Sequence, residues 1–91
     1  MVYLVTRHTV ADYEKWRQVF DEGETRRRAS GATGVNQVYR DLDDPNIVTV
    51  VVEWDNAENA RKFTDDPAVR ELLQKAGVIG MPAVRAILSR T

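Results

Sequence analysis

The sequence predicts an α+β domain in which an antiparallel four-stranded sheet carries two helices on one face, and three observations lead there. Strand and helix patterns succeed one another in the order β-α-β-β-α-β. The second and third strand patterns are joined by Asp41-Leu42-Asp43-Asp44-Pro45-Asn46, a run of turn formers short enough to make the two strands antiparallel neighbours. The third strand, Ile47-Val48-Thr49-Val50-Val51-Val52, is apolar on both parities, whereas a half-exposed strand alternates apolar with polar. Such a strand needs dry cover on both sides.

The elements follow in order. Val2 to His8 is rich in β-branched and aromatic residues and reads as the first strand. Thr9 followed by Asp12 has the spacing of a hydroxyl cap with an acid reaching back, so the first helix starts here. Tyr13, Trp16 and Phe20 recur at three- and four-residue steps along it and form the stripe that packs on the sheet. The helix is expected to continue through Arg26, Arg27 and Arg28, a solvated face whose cations suit the negative end of the helix dipole, and to close at Ser30-Gly31. Gly34 turns the chain into the second strand, Val35 to Arg40. Along the third strand, Val48, Val50, Val52 and Trp54 share one parity, and Ile47, Thr49 and Val51 the other. Asp55 with Glu58 repeats the capping pattern, and Ala57, Ala60 and Phe63 begin the second helix. Asp66-Pro67 is a fresh cap with proline in the first helical position, so Pro67 to Ala76 forms a second segment presenting Val69, Leu72, Leu73 and Ala76. Gly77, Gly80 and Pro82 break the helix, and Ala83 to Ser89 is the last strand. Right-handed crossovers then give a ferredoxin-like sheet of order 4-1-3-2, with the third strand central.

Composition narrows the functional classes. A chain of 91 residues is a single domain, spanning 1–91, with no room for a separate cofactor domain. Hydrophobic residues make up 43% and charged ones 30%, which places it among globular proteins. Thirteen basic residues against 14 acidic ones leave a net charge of -1, so no field attracts nucleic acid. An RNA-recognition domain shares the element order, but it needs exposed aromatics on its central strands, where this chain has aliphatics. No cysteine is present, which removes disulfides and thiolate chemistry. The single histidine and the turn acids Asp41, Asp43 and Asp44 form no metal-ligand spacing. Neither a phosphate-cradling glycine loop nor a G-x-S-x-G elbow occurs, and no cofactor is expected. With no basic-apolar leader before Val2 and no apolar run near ~18 residues, the expectation is a cytoplasmic protein without membrane contact.

The helices suffice for one face of the sheet. A second copy is expected to cover the other through two-fold pairing of sheets, giving a homodimer. The runs VTRHTVADYEKWRQVFDE, EWDNAENARKF and VIGMP resemble small bacterial members of the dimeric α/β-barrel superfamily, in its antibiotic biosynthesis monooxygenase-like and cyclase-like branch. The resemblance spans nearly the whole chain. It implies two ferredoxin-like protomers joined sheet to sheet, and a small ligand held between sheet and helices. Related members include cofactor-independent oxygenases acting on polycyclic phenols, lactone isomerases, haem-degrading enzymes and stress-response proteins, so the fold leaves the reaction open.

His8 is the candidate catalytic residue, being the only side chain with an ordinary pKa near ~6.5. It ends the first strand, beside the start of the third strand, the far end of the second around Tyr39, and the segment Gly77 to Met81. Tyr13 follows just after the turn. His8, Tyr13, Tyr39 and Met81 are therefore expected around one cavity, with Trp16 added one helical turn from Tyr13. An imidazole here can take a proton from a phenol or enol while the tyrosines orient an oxygen or stack on a ring. The competing reading is a histidine satisfied by polar neighbours at a strand end. Parity gives His8 the company of Leu4 and Thr6 but leaves their face undetermined. Trp54 falls at the opposite end of the sheet, about 22 Å away, out of reach of a small molecule touching His8. The expected function is a dimer binding a small apolar or aromatic molecule, acting as a cofactor-independent monooxygenase or cyclase; the alternative is a non-catalytic binding or structural dimer.

Overall fold

A computed structural model describes residues 1–91, with the side chains of all but residues 81–83. The elements are β1 (Val2–Val10), α1 (Tyr13–Glu22), α2 (Glu24–Ala29), β2 (Ala32–Arg40), β3 (Ile47–Trp54), α3 (Ala57–Asp65), α4 (Pro67–Lys75) and β4 (Val78–Ser89). The sheet order is β2-β3-β1-β4 with every neighbouring pair antiparallel, the ferredoxin-like 4-1-3-2 arrangement. No described helix is long and apolar enough to cross a membrane.

Register decides which side chains share a face, because the side-chain period of a strand is two. Leu4 lies opposite Val52 and His8 opposite Val48, so the parity of His8 is that of Val48, Val50, Val52 and Trp54. All of these are buried and form one core with Val10, Trp16, Ala60 and Ala76 beneath the helices. His8 therefore faces the helices. The opposite parity of β3, including Ile47, Thr49 and Val51, is only half-buried. On that open face Tyr39 pairs with Thr49, Ile79 with Thr9, Val84 with Arg7 and Leu88 with Tyr3.

Several boundaries differ from the sequence expectation, each for a local reason. β1 runs on to Val10, because Thr9 and Val10 are claimed by the ladders to Ile47, Ile79 and Val78. The helix cap passes to Asp12, whose carboxylate accepts from the Glu14 and Lys15 amides. The acid expected to reach back is the cap itself. Asn56 likewise caps α3, accepting from the Asn59 amide at 2.8 Å, while the Asp55 carboxylate holds the Asn56 amide and the Asn59 side chain. Asp66 caps α4 with Pro67 in the first turn, as expected. The first helical run breaks at Gly23 into α1 and α2. β4 begins at Val78 rather than Ala83, since Gly77, at φ +86°, turns the chain from α4 directly into pairing with Val10. Its register then slips: Arg7 faces Val84 and Thr9 faces Ile79, so five residue steps on β4 oppose two on β1, directly beside His8.

Candidate functional site

Between sheet and helices lies a cavity of about 250 Å³. Its sheet side is built by alternate residues of the two central strands, Leu4, Thr6 and His8 from β1 and Val50, Val52 and Trp54 from β3. The helices add Trp16 and Phe20 from α1, Arg27 from α2, Phe63 from α3 and Leu72 and Leu73 from α4. A wider depression on the outside of α3, lined by Glu58, Arg61, Lys62, Asp65, Asp66 and Pro67, is a solvent-open groove of mixed charge without convergent apolar wall.

His8 is 3% exposed, and neither Nδ1 nor Nε2 has a hydrogen-bond partner among the described residues. Its ring meets Trp16 edge-on at 5.6 Å. Buried polar atoms are ordinarily paired, since leaving one unsatisfied costs roughly 1–3 kcal/mol. No described side chain or backbone group is the polar neighbour that the competing reading of His8 requires. Burial lowers its pKa from the ordinary 6.5, which keeps the imidazole neutral at neutral pH. A neutral ring has one N–H to donate and one lone pair to accept a proton, and both are uncommitted.

Trp54 repeats the pattern. Its indole packs on Phe63 at 5.1 Å, the residue is fully buried, and Nε1 has no partner among the described residues. The sequence had placed it outside the pocket, on distance. It is about 20 Å along the strand from the position opposite His8, yet both line the same elongated cavity.

Arg27 corrects a second expectation. Arg26 to Arg28 had read as a solvated face, but Arg27 is 8% exposed and lines the cavity. Its guanidinium lies over the Phe20 ring at 3.9 Å, and Nη1 donates to the Phe20 carbonyl at 2.8 Å. Those two contacts turn it inward after the break at Gly23. Burial pushes its pKa down, opposed by the nearby charges of Glu24 and Asp21.

Of the other expected site residues, Trp16 is both core and cavity wall, stacking on Phe20 at 5.1 Å. Tyr13 sits behind it, its ring 5.9 Å from that of Trp16 and 4.0 Å from the Arg40 guanidinium, and does not line the cavity. Tyr39 is on the wrong face: its register partner is Thr49, it is half-exposed, and the sheet separates it from His8. The side chain of Met81 lies outside the described residues. Among the described residues no three His, Cys, Asp or Glu side chains come together as a metal site.

The topology and the cleft beneath the helices define the class: a ferredoxin-like domain with the fold of antibiotic biosynthesis monooxygenase-like proteins. A candidate antibiotic biosynthesis monooxygenase from Bordetella bronchiseptica superposes with a TM-score of 0.79 over 99% of this chain and 96% of that chain, at 12% identity. SnoaB, a cofactor-independent oxygenase from Streptomyces nogalater, gives 0.68 over 99% of this chain and 92% of that chain, at 17% identity. A candidate antibiotic biosynthesis monooxygenase from Deinococcus radiodurans gives 0.70, covering 100% of this chain and 93% of that chain, at 18% identity. At such identities the likeness is one of fold. No protein-family model matches the sequence, and no curated protein matches it.

Proposed function

We propose that the cavity holds a small, largely apolar or aromatic molecule and that His8 takes a proton from it in a cofactor-independent oxygenase- or cyclase-like reaction, within a homodimer paired through the open sheet faces. The observation that carries this reading is the imidazole of His8, buried in a largely apolar cavity with both nitrogens unpartnered among the described residues. A base works best when its unprotonated form is populated at the working pH, and the desolvated ring meets that condition. Taking the proton of a phenol or enol O–H onto the free ring nitrogen leaves an anion whose charge spreads into the carbon framework. Such an anion is electron-rich enough to pass electrons to dioxygen or to close a ring on its own electrophile. The likeness to SnoaB, described as a cofactor-independent oxygenase, supports the first of these.

The dimer is supported by the open face. Tyr39, Ile79, Val84 and Leu88 expose 53%, 58%, 44% and 50% of their surface there, an apolar patch that a domain of this size seldom leaves to water.

Oxygen uptake on a panel of hydroxynaphthalenes and hydroxyanthracenes tests the reaction. The wild type is expected to accelerate uptake with at least one of them, and His8→Gln to lower kcat about 100-fold with KM nearly unchanged. An unchanged kcat in His8→Gln, with a confirmed substrate, removes His8 from the chemistry.

A further inference from the structure

We propose that the cavity selects an anion: a largely apolar or aromatic molecule carrying one carboxylate-type group, which the Arg27 guanidinium binds. This rests on reading the cavity as a ligand site. The chain has 14 acidic residues against 13 basic ones, yet the described lining of the cavity contains Arg27, Arg70 and Arg85 and no Asp or Glu. Arg70 and Arg85 are exposed, and Arg85 has Asp65 at 3.9 Å, so these two belong to the mouth, where they favour entry of negative charge. Arg27 is different.

The Arg27 side chain is buried and forms no ion pair among the described residues. Of the five N–H donors of its guanidinium, one has a described partner, the carbonyl of Phe20. The Phe20 ring centroid lies 3.9 Å from the guanidinium carbon, and the donors other than the one on the Phe20 carbonyl have no described partner. Glu24 and Asp21 act on it only from beyond ion-pair distance, and a planar donor fork is suited to two parallel bonds to a carboxylate. The rest of the wall, Leu4, Val50, Val52, Trp16 and Phe20, suits an apolar body. An amphipathic anion satisfies both parts together.

The rival explanation is that Arg27 merely pins α2 to α1 through Phe20. The two separate on ligand charge, since a pin has no preference between an acid and its amide. Binding of 2-naphthoate and 2-naphthamide is measured by calorimetry, with the indole N–H NMR signals of Trp16 and Trp54, which line the cavity, reporting location. The wild type is expected to bind the acid at least tenfold tighter than the amide, both shifting the indole signals. Arg27→Met is expected to bring the acid to the level of the amide, leaving the amide unchanged, and Arg27→Lys to keep part of the preference. Equal affinities in the wild type, with shifted indoles, overturn the anion and leave the cavity reading standing. Loss of acid and amide together in Arg27→Met assigns the pin and also overturns it. No binding of either compound to the wild type removes the cavity reading and this inference with it. Should Arg27→Met not fold, the wild-type ratio and its reduction in Arg27→Lys decide.

Discussion

The two faces of the sheet depart from ordinary surfaces in opposite senses. Beneath the helices, a wall of Leu4, Val48, Val50 and Val52 encloses groups that normally seek water or a partner: His8, the indole nitrogen of Trp54 and the guanidinium of Arg27. Across the same strands, the open face presents to water the side chains that normally avoid it, Tyr39, Ile79, Val84 and Leu88. A buried polar group and an exposed apolar patch are the two informative exceptions to hydrophobic sorting. On the proposed function the first meets a small molecule with polar atoms and the second a second copy of the sheet. One parity of β3 lines the cavity and the other lies on the open face, and the proposed ligand and dimer would use one each.

The largest effect is expected on the open face. Val51 sits in the middle of β3 between Val5 and Gln37. In a lone protomer an aspartate at this position keeps water; in a sheet-to-sheet dimer it becomes a buried, unpaired charge. Val51→Asp is expected to weaken dimerisation about 1,000-fold, roughly 4 kcal/mol, without disturbing the near-UV signal of the two buried tryptophans. Light scattering behind size exclusion, at micromolar concentrations, distinguishes the outcomes. Identical masses for wild type and variant show that the open face is not the contact.

What was legible in the sequence was periodic, and what was not depended on register or on single contacts. The order of elements, the central position of the third strand and the shared parity of Leu4, Thr6 and His8 all follow from a period of two or 3.6. Tyr39 was misplaced because it was located by its end of the strand, whereas one residue of register moves a side chain to the other face. Its pairing with Thr49 is set by the turn from Asp41 to Asn46, whose geometry composition does not specify. Arg27 was hidden in a run of three arginines: the break at Gly23 and the ring of Phe20 choose which one turns inward. Trp54 continues the parity of Val48, Val50 and Val52, which is legible in the sequence, but distance along the strand does not reveal that one cavity reaches both ends.

The buried face can be broken by protons. Desolvation lowers the folded-state pKa of His8 from 6.5, so the unfolded chain binds its proton first as the pH falls. This contribution to stability is complete above the unfolded value, declines as the pH drops below about 6.5, and levels off below the folded value. His8→Leu cannot titrate. The difference in unfolding free energy between wild type and His8→Leu is therefore expected to move against the wild type by up to about 1.4 kcal/mol per pH unit on acidification. Urea unfolding at pH 7.5, 6.5 and 5.5 measures it. Parallel pH profiles for the two proteins mean that His8 protonates equally in both states, as it does where water reaches the ring.

A smaller effect sharpens the contrast further. Removing a fully buried tryptophan to alanine costs about 3–5 kcal/mol, because contacts are lost and a cavity remains. Trp54→Phe keeps an aromatic ring against Phe63 and deletes the N–H that has no partner among the described residues. Burying an unsatisfied donor is itself unfavourable, so its deletion offsets part of the lost volume. The change is expected to cost less than about 1 kcal/mol, small for a residue at 0% exposure. If the indole N–H is instead kept for a ligand, the same variant loses affinity for hydrogen-bond-accepting ligands while retaining the apolar ones. A stability loss near that of an alanine substitution indicates that packing of the second ring, rather than the donor, is why tryptophan stands at this position.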